Sequence, residues 1–301
     1  MRWDQLPRSD NVEDQRGTGP RGFPTGRAGG IGIGTLIVLG LIGWALGINP
    51  LYLIGGAEIL SRLGGGSQQQ SEPAPGTAKT EAPSDQMGQF VSAVLGSTEA
   101  EWKEIFARAG KTYEPPTLVM FSGATRSACG AAQAAMGPFY CPIDRKVYLD
   151  TAFFQDLERR FRGCEIGSKS CQFAQAYVIT HEVGHHVQNL LGILPRVQAM
   201  QRSLDQADAN QLQVRVELQA DCLAGIWAHH TDEKWRVIES GDVEAAMQTA
   251  SAIGDDRLQR RSQGYVVPDA FTHGSSEQRT RAFMTGLKSG ELSSCDTFRS
   301  Q

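Results

Sequence analysis

The 301 residues contain no G-x-x-x-x-G-K-[ST] loop, the glycine-rich turn whose backbone amides cradle phosphates, so nothing points to nucleotide binding. Basic residues are not in surplus either: 29 Lys and Arg stand against 33 Asp and Glu, a formal charge of −4. Neutralising phosphates needs a basic surface, and its absence argues against nucleic acid as a partner. Cysteine is sparse, with Cys129, Cys141, Cys164, Cys171, Cys222 and Cys295 and no C-x-x-C pair among them. That leaves no zinc ribbon and no thioredoxin-like redox motif, while the even number suits disulfides in an oxidising compartment. Internal repeats are absent. The remaining composition, 40% hydrophobic and 21% charged, belongs to an ordinary folded domain with appendages.

Charge is missing altogether from GGIGIGTLIVLGLIGWALG, residues 29–47. At about 1.5 Å per residue the run matches a bilayer's hydrocarbon thickness, with Trp44 placed as an interfacial aromatic and Asn49-Pro50 as a break. A buried core helix and a cleavable signal peptide compete with this reading. The unpatterned glycine-rich run and the lack of a clean A-x-A site favour a transmembrane helix with its exit region over 29–54. Arg2, Arg8, Arg16, Arg21 and Arg27 precede the run, against Arg62 alone in the twenty residues after it. The positive-inside bias then makes residues 1–28 a cytoplasmic segment and exports the rest of a single-pass bacterial membrane protein to the periplasm or exterior. Residues 55–84, rich in Gly, Ser, Gln and Pro, read as a linker, leaving 85–301 as the globular domain.

Within that domain the apolar spacing predicts a helix over 86–95 capped by Ser84 or Asp85. A capping box, Thr98-x-x-Glu101, opens a second helix. PTLVMF (116–121) and KVYLD (146–150) read as strands, the stretch between them as a loop closed by a Cys129–Cys141 disulfide. Helices are expected at 151–162, 172–191, 204–230, 242–253 and 276–288, and a local disulfide fits Cys164 and Cys171. The fold class expected is α+β, a mostly helical domain with a small sheet.

Chemistry concentrates in QFAQAYVITHEVGHHVQNLLG. His181 and His185, at i and i+4, share one helical face and can converge on one ion. Glu182, about 100° further round, can reach a metal-activated water as a general base without being a ligand. A third ligand is needed, and VRVELQADCLAGIWAHH offers Glu217, with Asp221 accepting a hydrogen bond from a ligand histidine. Asp221, His229 and His230 are the competing third ligands. His186 points elsewhere on its helix and reads as structural.

HEVGHH followed by ELQAD resembles the gluzincin arrangement. Together with MRWDQLPRSDNVEDQRG, GPFYCPIDRKVYLD and ELQADCLAGIWA, the chain resembles the bacterial putative neutral zinc metallopeptidase family nearly end to end. The resemblance implies a membrane-anchored peptidase with one Zn²⁺ per chain on His181, His185 and Glu217. In gluzincins a T-H-P segment followed by an arginine supplies an oxyanion donor. Thr272-His273-Gly274 with Arg279 is similar, which implies that role for His273, with glycine in place of proline and Tyr265 as the alternative donor. Arg279 would hold the loop or the ligands' hydrogen-bond partners. The resemblance also pairs Cys222 with Cys295.

The function expected is hydrolysis of peptide bonds in a peptide or protein substrate, which could add to strand 116–121 as an edge strand. The alternative is a catalytically inactive, zinc-stabilised envelope scaffold or binding protein. Oligomeric state is not legible.

Overall fold

The computed structural model describes residues 1–16, 83–133, 137–154 and 169–298. Among these, the chain is mostly helical with a small mixed sheet. Strand β1 (Val12–Asp14) precedes helix α1 (Gln86–Arg108). Five strands follow: β2 (Thr117–Phe121), β3 (Ala124–Ser127), β4 (Gly130–Gln133), β5 (Phe139–Cys141) and β6 (Lys146–Asp150). Then come α2 (Lys169–Leu190), α3 (Ile193–Gln201), α4 (Gln206–Trp235), α5 (Asp242–Ala252), α6 (Asp255–Gln263) and α7 (Ser276–Ser289).

The sheet runs β1-β2-β6-β5, parallel across its first three strands and antiparallel at β5–β6. Alternation along β2 and β6 sends Leu118, Met120, Val147 and Leu149 into the main core and Val119, Phe121 and Tyr148 into a small cluster on the other face. β3 and β4 form a separate hairpin inside the stretch expected to be a loop, and β5 lies there too. The Cys129–Cys141 disulfide ties that hairpin region to β5. Strand β2 is not an edge, because β1 covers it on one side and β6 on the other. Among the described residues β1 and β5 are the sheet's edges, and β5 is the one that packs beside α2.

Residues 1–16 are where the sequence reading fails most. Val12, Glu13 and Asp14 pair with Leu118, Val119 and Met120, and the Ser9 amide donates to the Ser92 carbonyl at 3.0 Å. Arg16 bonds Asp85 at 2.7 Å, and Trp3 packs edge-on against Phe90 at 5.7 Å. A chain crossing a bilayer once between residues 28 and 55 would hold these partners on opposite sides. Instead they share hydrogen bonds within one compact unit. The apolar run 29–54 and the linker 55–84, save its last two residues, lie outside the described residues. Among those described, no helix is long and apolar enough to cross a membrane. The expected transmembrane helix and the single-pass localisation, with a cytoplasmic N-terminus and an exported domain, are therefore overturned.

Helix α1 runs unbroken through the supposed capping box. Asp85 caps its start by accepting from the Gly88 amide at 2.8 Å. Ser97 and Thr98 return their hydroxyls to the carbonyls of Val94 and Leu95, each at 2.7 Å, and Ser97 Oγ also accepts from Trp227 Nε1 at 2.9 Å. Burial leaves these hydroxyls no water, so they bond back to their own helix rather than end it. The helices expected at 172–191, 204–230, 242–253 and 276–288 match α2, α4, α5 and α7 to within a few residues. The helix expected at 151–162 and the Cys164–Cys171 pair extend outside the described residues.

Candidate metal centre

Helix α2 is apolar on nearly every face, with Phe173, Ala174, Tyr177, Val183 and Val187 buried. It is threaded between α1, α4, α5 and the sheet, so polar groups on it must find partners inside the protein. His181 and His185 meet Glu217 of α4, whose Oε2 lies 3.2 Å from His181 Nε2 and 3.5 Å from His185 Nε2. The three ligating atoms lie within 4.8 Å of one another.

The hydrogen-bond network assigns the tautomers. Asp221 Oδ1 can only accept, so His181 Nδ1–H donates to it at 2.8 Å. Gln188 uses its amide nitrogen on the Val216 carbonyl and on Gln219 Oε1, which leaves its oxygen to accept from His185 Nδ1–H at 2.9 Å. Both Nε2 atoms therefore face Glu217, whose other oxygen is held by Gln213 at 2.9 Å. Two imidazole nitrogens and a carboxylate oxygen converging in a buried place call for positive charge between them, which protons on the imidazoles or one metal ion supplies. This donor set fits a divalent ion such as zinc.

The electrostatics agree. Burial opposes a charge on His181, but Asp221 and Glu217 outweigh it and raise the imidazole to about 10. His185 is raised as well, burial being outweighed by Glu217. Burial pushes Glu217 up, yet the two imidazoles hold it well below the usual carboxylate range. A site that pulls protons in this way is one that attracts positive charge.

Asp221 is also the anchor of a buried network. It is 0% exposed and accepts from Tyr177 OH at 2.6 Å and from Arg279 Nε at 2.9 Å. Arg279 Nη2 reaches the other Asp221 oxygen at 3.0 Å and the Tyr177 hydroxyl at 3.2 Å. Arg279, on α7, thus holds the residue that orients His181. His229 and His230, weighed as third ligands, lie against the C-terminal end of α7 instead, where they bond Leu287 and Gly290.

Glu182 is 8% exposed, lines the cleft and takes no hydrogen bond from the described residues. His273 lines the same cleft, brought there by a loop wrapped on Asp255. The backbone amides of Thr272, His273 and Gly274 all donate to Asp255 Oδ2, at 2.7, 2.6 and 3.1 Å. His273 Nδ1 lies 3.3 Å from Asp255 Oδ1, and this contact raises the imidazole's affinity for a proton. Gly274 has φ +91°, a value closed to proline, so the turn differs from the T-H-P pattern in kind. Tyr265, the alternative donor, is exposed and is not part of the cleft wall. Asp255 was not singled out in the sequence. Its one signal is a pair of acids after Gly254, at the start of α6, which is common at helix N-termini.

The cleft has a volume of about 580 Å³. Leu194, Val197, Ile253 and Leu258 give it apolar walls, and Phe139 and Tyr140 bring the β5 edge to its rim.

His186 is fully buried and turned away from this centre. Its Nε2–H donates to the Glu114 carbonyl at 2.7 Å, which leaves Nδ1 to accept from Tyr140 OH at 3.0 Å. Burial pushes its pKa down to about 4. The unfolded chain takes up this proton near pH 6.5 but the folded chain does not until about pH 4. The stability His186 contributes is thus present above pH 6.5 and is lost as pH falls to 4, by about 3 kcal/mol. Urea midpoints measured from pH 7 to 4.5 are expected to fall more steeply in the wild type than in His186→Gln, which cannot titrate. Equal slopes would show that His186 is not held neutral.

The family model described as "Putative neutral zinc metallopeptidase" matches residues 1–298. The uncharacterized protein YpfJ of Escherichia coli K12 is 45% identical over 306 residues, covering 99% of both chains. Uncharacterized protein Rv2575 of Mycobacterium tuberculosis H37Rv is 41% identical over 217 residues, covering 69% of each chain. No solved structure matches. With the match running through the sheet strand at the N-terminus, the helices that carry His181, His185 and Glu217, and the C-terminal turn tied by Cys222–Cys295, the chain belongs to the putative neutral zinc metallopeptidase family.

Proposed function

We propose that this chain is a zinc-dependent peptidase whose ion is held by His181, His185 and Glu217 and whose general base is Glu182. The observation that carries the reading is the convergence of two imidazole nitrogens and one carboxylate oxygen beside Glu182, which takes no hydrogen bond from the described residues, in one cleft. Zinc bound there supplies Lewis acidity, making water a better nucleophile and a carbonyl a better electrophile. Glu182 takes the proton from the attacking water on its free carboxylate and delivers it to the leaving amine. His273, whose affinity for a proton Asp255 raises through the contact at Nδ1, donates from Nε2 to the oxygen that gains negative charge. Asp221 keeps His181 in the tautomer that presents Nε2. The free edge of β5, with Phe139 and Tyr140 at the cleft, offers an extended peptide backbone hydrogen bonds by strand addition.

The test is cleavage of a mixed peptide library, read by mass spectrometry, before and after chelation and again with zinc restored. Cleavage that disappears on chelation and returns with zinc is the expected result. A folded protein that binds zinc at this centre and cuts nothing would favour a zinc-stabilised scaffold. Failure to bind zinc at all would overturn the reading.

A further inference from the structure

The last turns of α4 hold a second group of metal-ligating side chains, away from the centre described above. His229 Nδ1 lies 2.8 Å from the Leu287 carbonyl and His230 Nε2 lies 2.9 Å from the Gly290 carbonyl. A carbonyl oxygen only accepts, so each of those nitrogens carries the hydrogen. The lone pairs are then on His229 Nε2 and His230 Nδ1. They face the two oxygens of one carboxylate, Glu233 Oε1 and Oε2, each at 3.5 Å. The three donor atoms lie within 4.8 Å of one another, and the two rings stand edge to face at 5.0 Å. Tetrahedral ligands bonded at about 2.1 Å stand about 3.4 Å apart, and the two imidazole–carboxylate separations of 3.5 Å are already near that spacing.

The surroundings favour a cation. The C-terminal ends of α4 and α7 meet here, and both present the negative pole of a helix. Glu101, 2% exposed, feels the charge of His230, and its Oε1 has no hydrogen-bond partner among the described residues. Lys234 stands 3.5 Å from that oxygen but turns its bond to Glu104. The arrangement also depends on Gly290, which has φ +65° and would place a Cβ 2.5 Å from the His229 ring. No larger residue allows the two carbonyls to fix the imidazoles in this way.

We propose that His229, His230 and Glu233 form a second site for a divalent transition-metal ion such as zinc, joining the C-terminal ends of α4 and α7. Two imidazoles with their other nitrogens held by carbonyls, plus one carboxylate, make a set of borderline donors suited to zinc rather than to calcium or magnesium. The competing account is that the two histidines only cap the last carbonyls of α7, which needs no ion.

The experiment is metal stoichiometry on the full chain, stripped with chelator, dialysed against micromolar zinc and measured by mass spectrometry of the metal. Wild type is expected to bind two zinc ions per chain, and both Glu217→Gln and the double variant His229→Gln/His230→Gln one each. Glu233→Gln changes an exposed side chain and spares the fold. It is expected to weaken one of the two ions more than tenfold while leaving the other unchanged. A single ion in wild type that survives His229→Gln/His230→Gln and is lost in Glu217→Gln would overturn this second site and leave the peptidase reading intact. A single ion with the opposite dependence would support the second site and sink the assignment to His181, His185 and Glu217. Two ions in wild type with no weakening in Glu233→Gln would remove Glu233 from the set and overturn the proposal as stated.

Discussion

Glu182→Gln is expected to lower kcat/KM for peptide cleavage about a thousandfold while the protein keeps its zinc. General-base catalysis contributes about 10²- to 10⁴-fold, and glutamine has the shape of glutamate without its proton affinity. The carboxylate takes no hydrogen bond from the described residues, so the substitution breaks no contact that holds the fold. A loss in kcat with little change in KM would mark a group used in the transition state rather than in binding. Unchanged turnover by Glu182→Gln would exclude Glu182 as the base. Loss of zinc along with activity would instead make it a residue that shapes the metal centre.

Arg279→Met should destabilise the folded chain by about 3–5 kcal/mol, the usual cost of leaving one member of a buried ion pair without its partner. Arg279 is 3% exposed and Asp221 0%, and two parallel bonds join them. Burial raises the Asp221 carboxyl, but Arg279 and His181 outweigh it and bring it to about 2. Without the guanidinium the carboxylate keeps only His181 and Tyr177. Guanidinium unfolding with zinc removed is the measurement, since bound zinc would add its own stabilisation. Pairing Arg279→Met with Asp221→Asn removes the stranded charge and should restore part of the loss. If the single variant costs under about 1 kcal/mol, the pair is not the buried bridge its geometry indicates.

The grouping of His181, His185 and Glu217 was legible because helical geometry converts spacing into proximity: i and i+4 bring His181 above His185, and the same rule sets Glu217 and Asp221 on one face of α4. What that rule does not reach is contact between distant segments. Arg279 lies 58 residues from Asp221, and nothing local indicates that α7 crosses α4 to meet it. Asp255 organises the His273 loop through three backbone amides, and backbone amides leave no trace in a sequence. Thr98-x-x-Glu101 has the letters of a helix start, but buried hydroxyls bond back to their own helix, and tertiary packing carried α1 through. Strand β1 is three residues long and two of them, Glu13 and Asp14, are charged, so it is too short for alternation to register. That omission let the apolar run 29–47 dictate a topology that the pairing of Val12 with Leu118 contradicts.

The same pairing sets the order in which the sheet can be assembled. β5 and β6 are joined by a short turn, and β2 meets β6 across fewer than thirty residues, whereas Val12 finds Leu118 only after the chain has closed a loop from position 12 to position 118. Closing so long a loop loses more entropy than any other pairing in the sheet, so β1 is the strand that docks last. Because that entropy grows only with the logarithm of length, doubling the length of that loop would weaken the docking by about 0.6 kcal/mol. The sheet therefore tolerates wide variation in the length of chain between its first two strands.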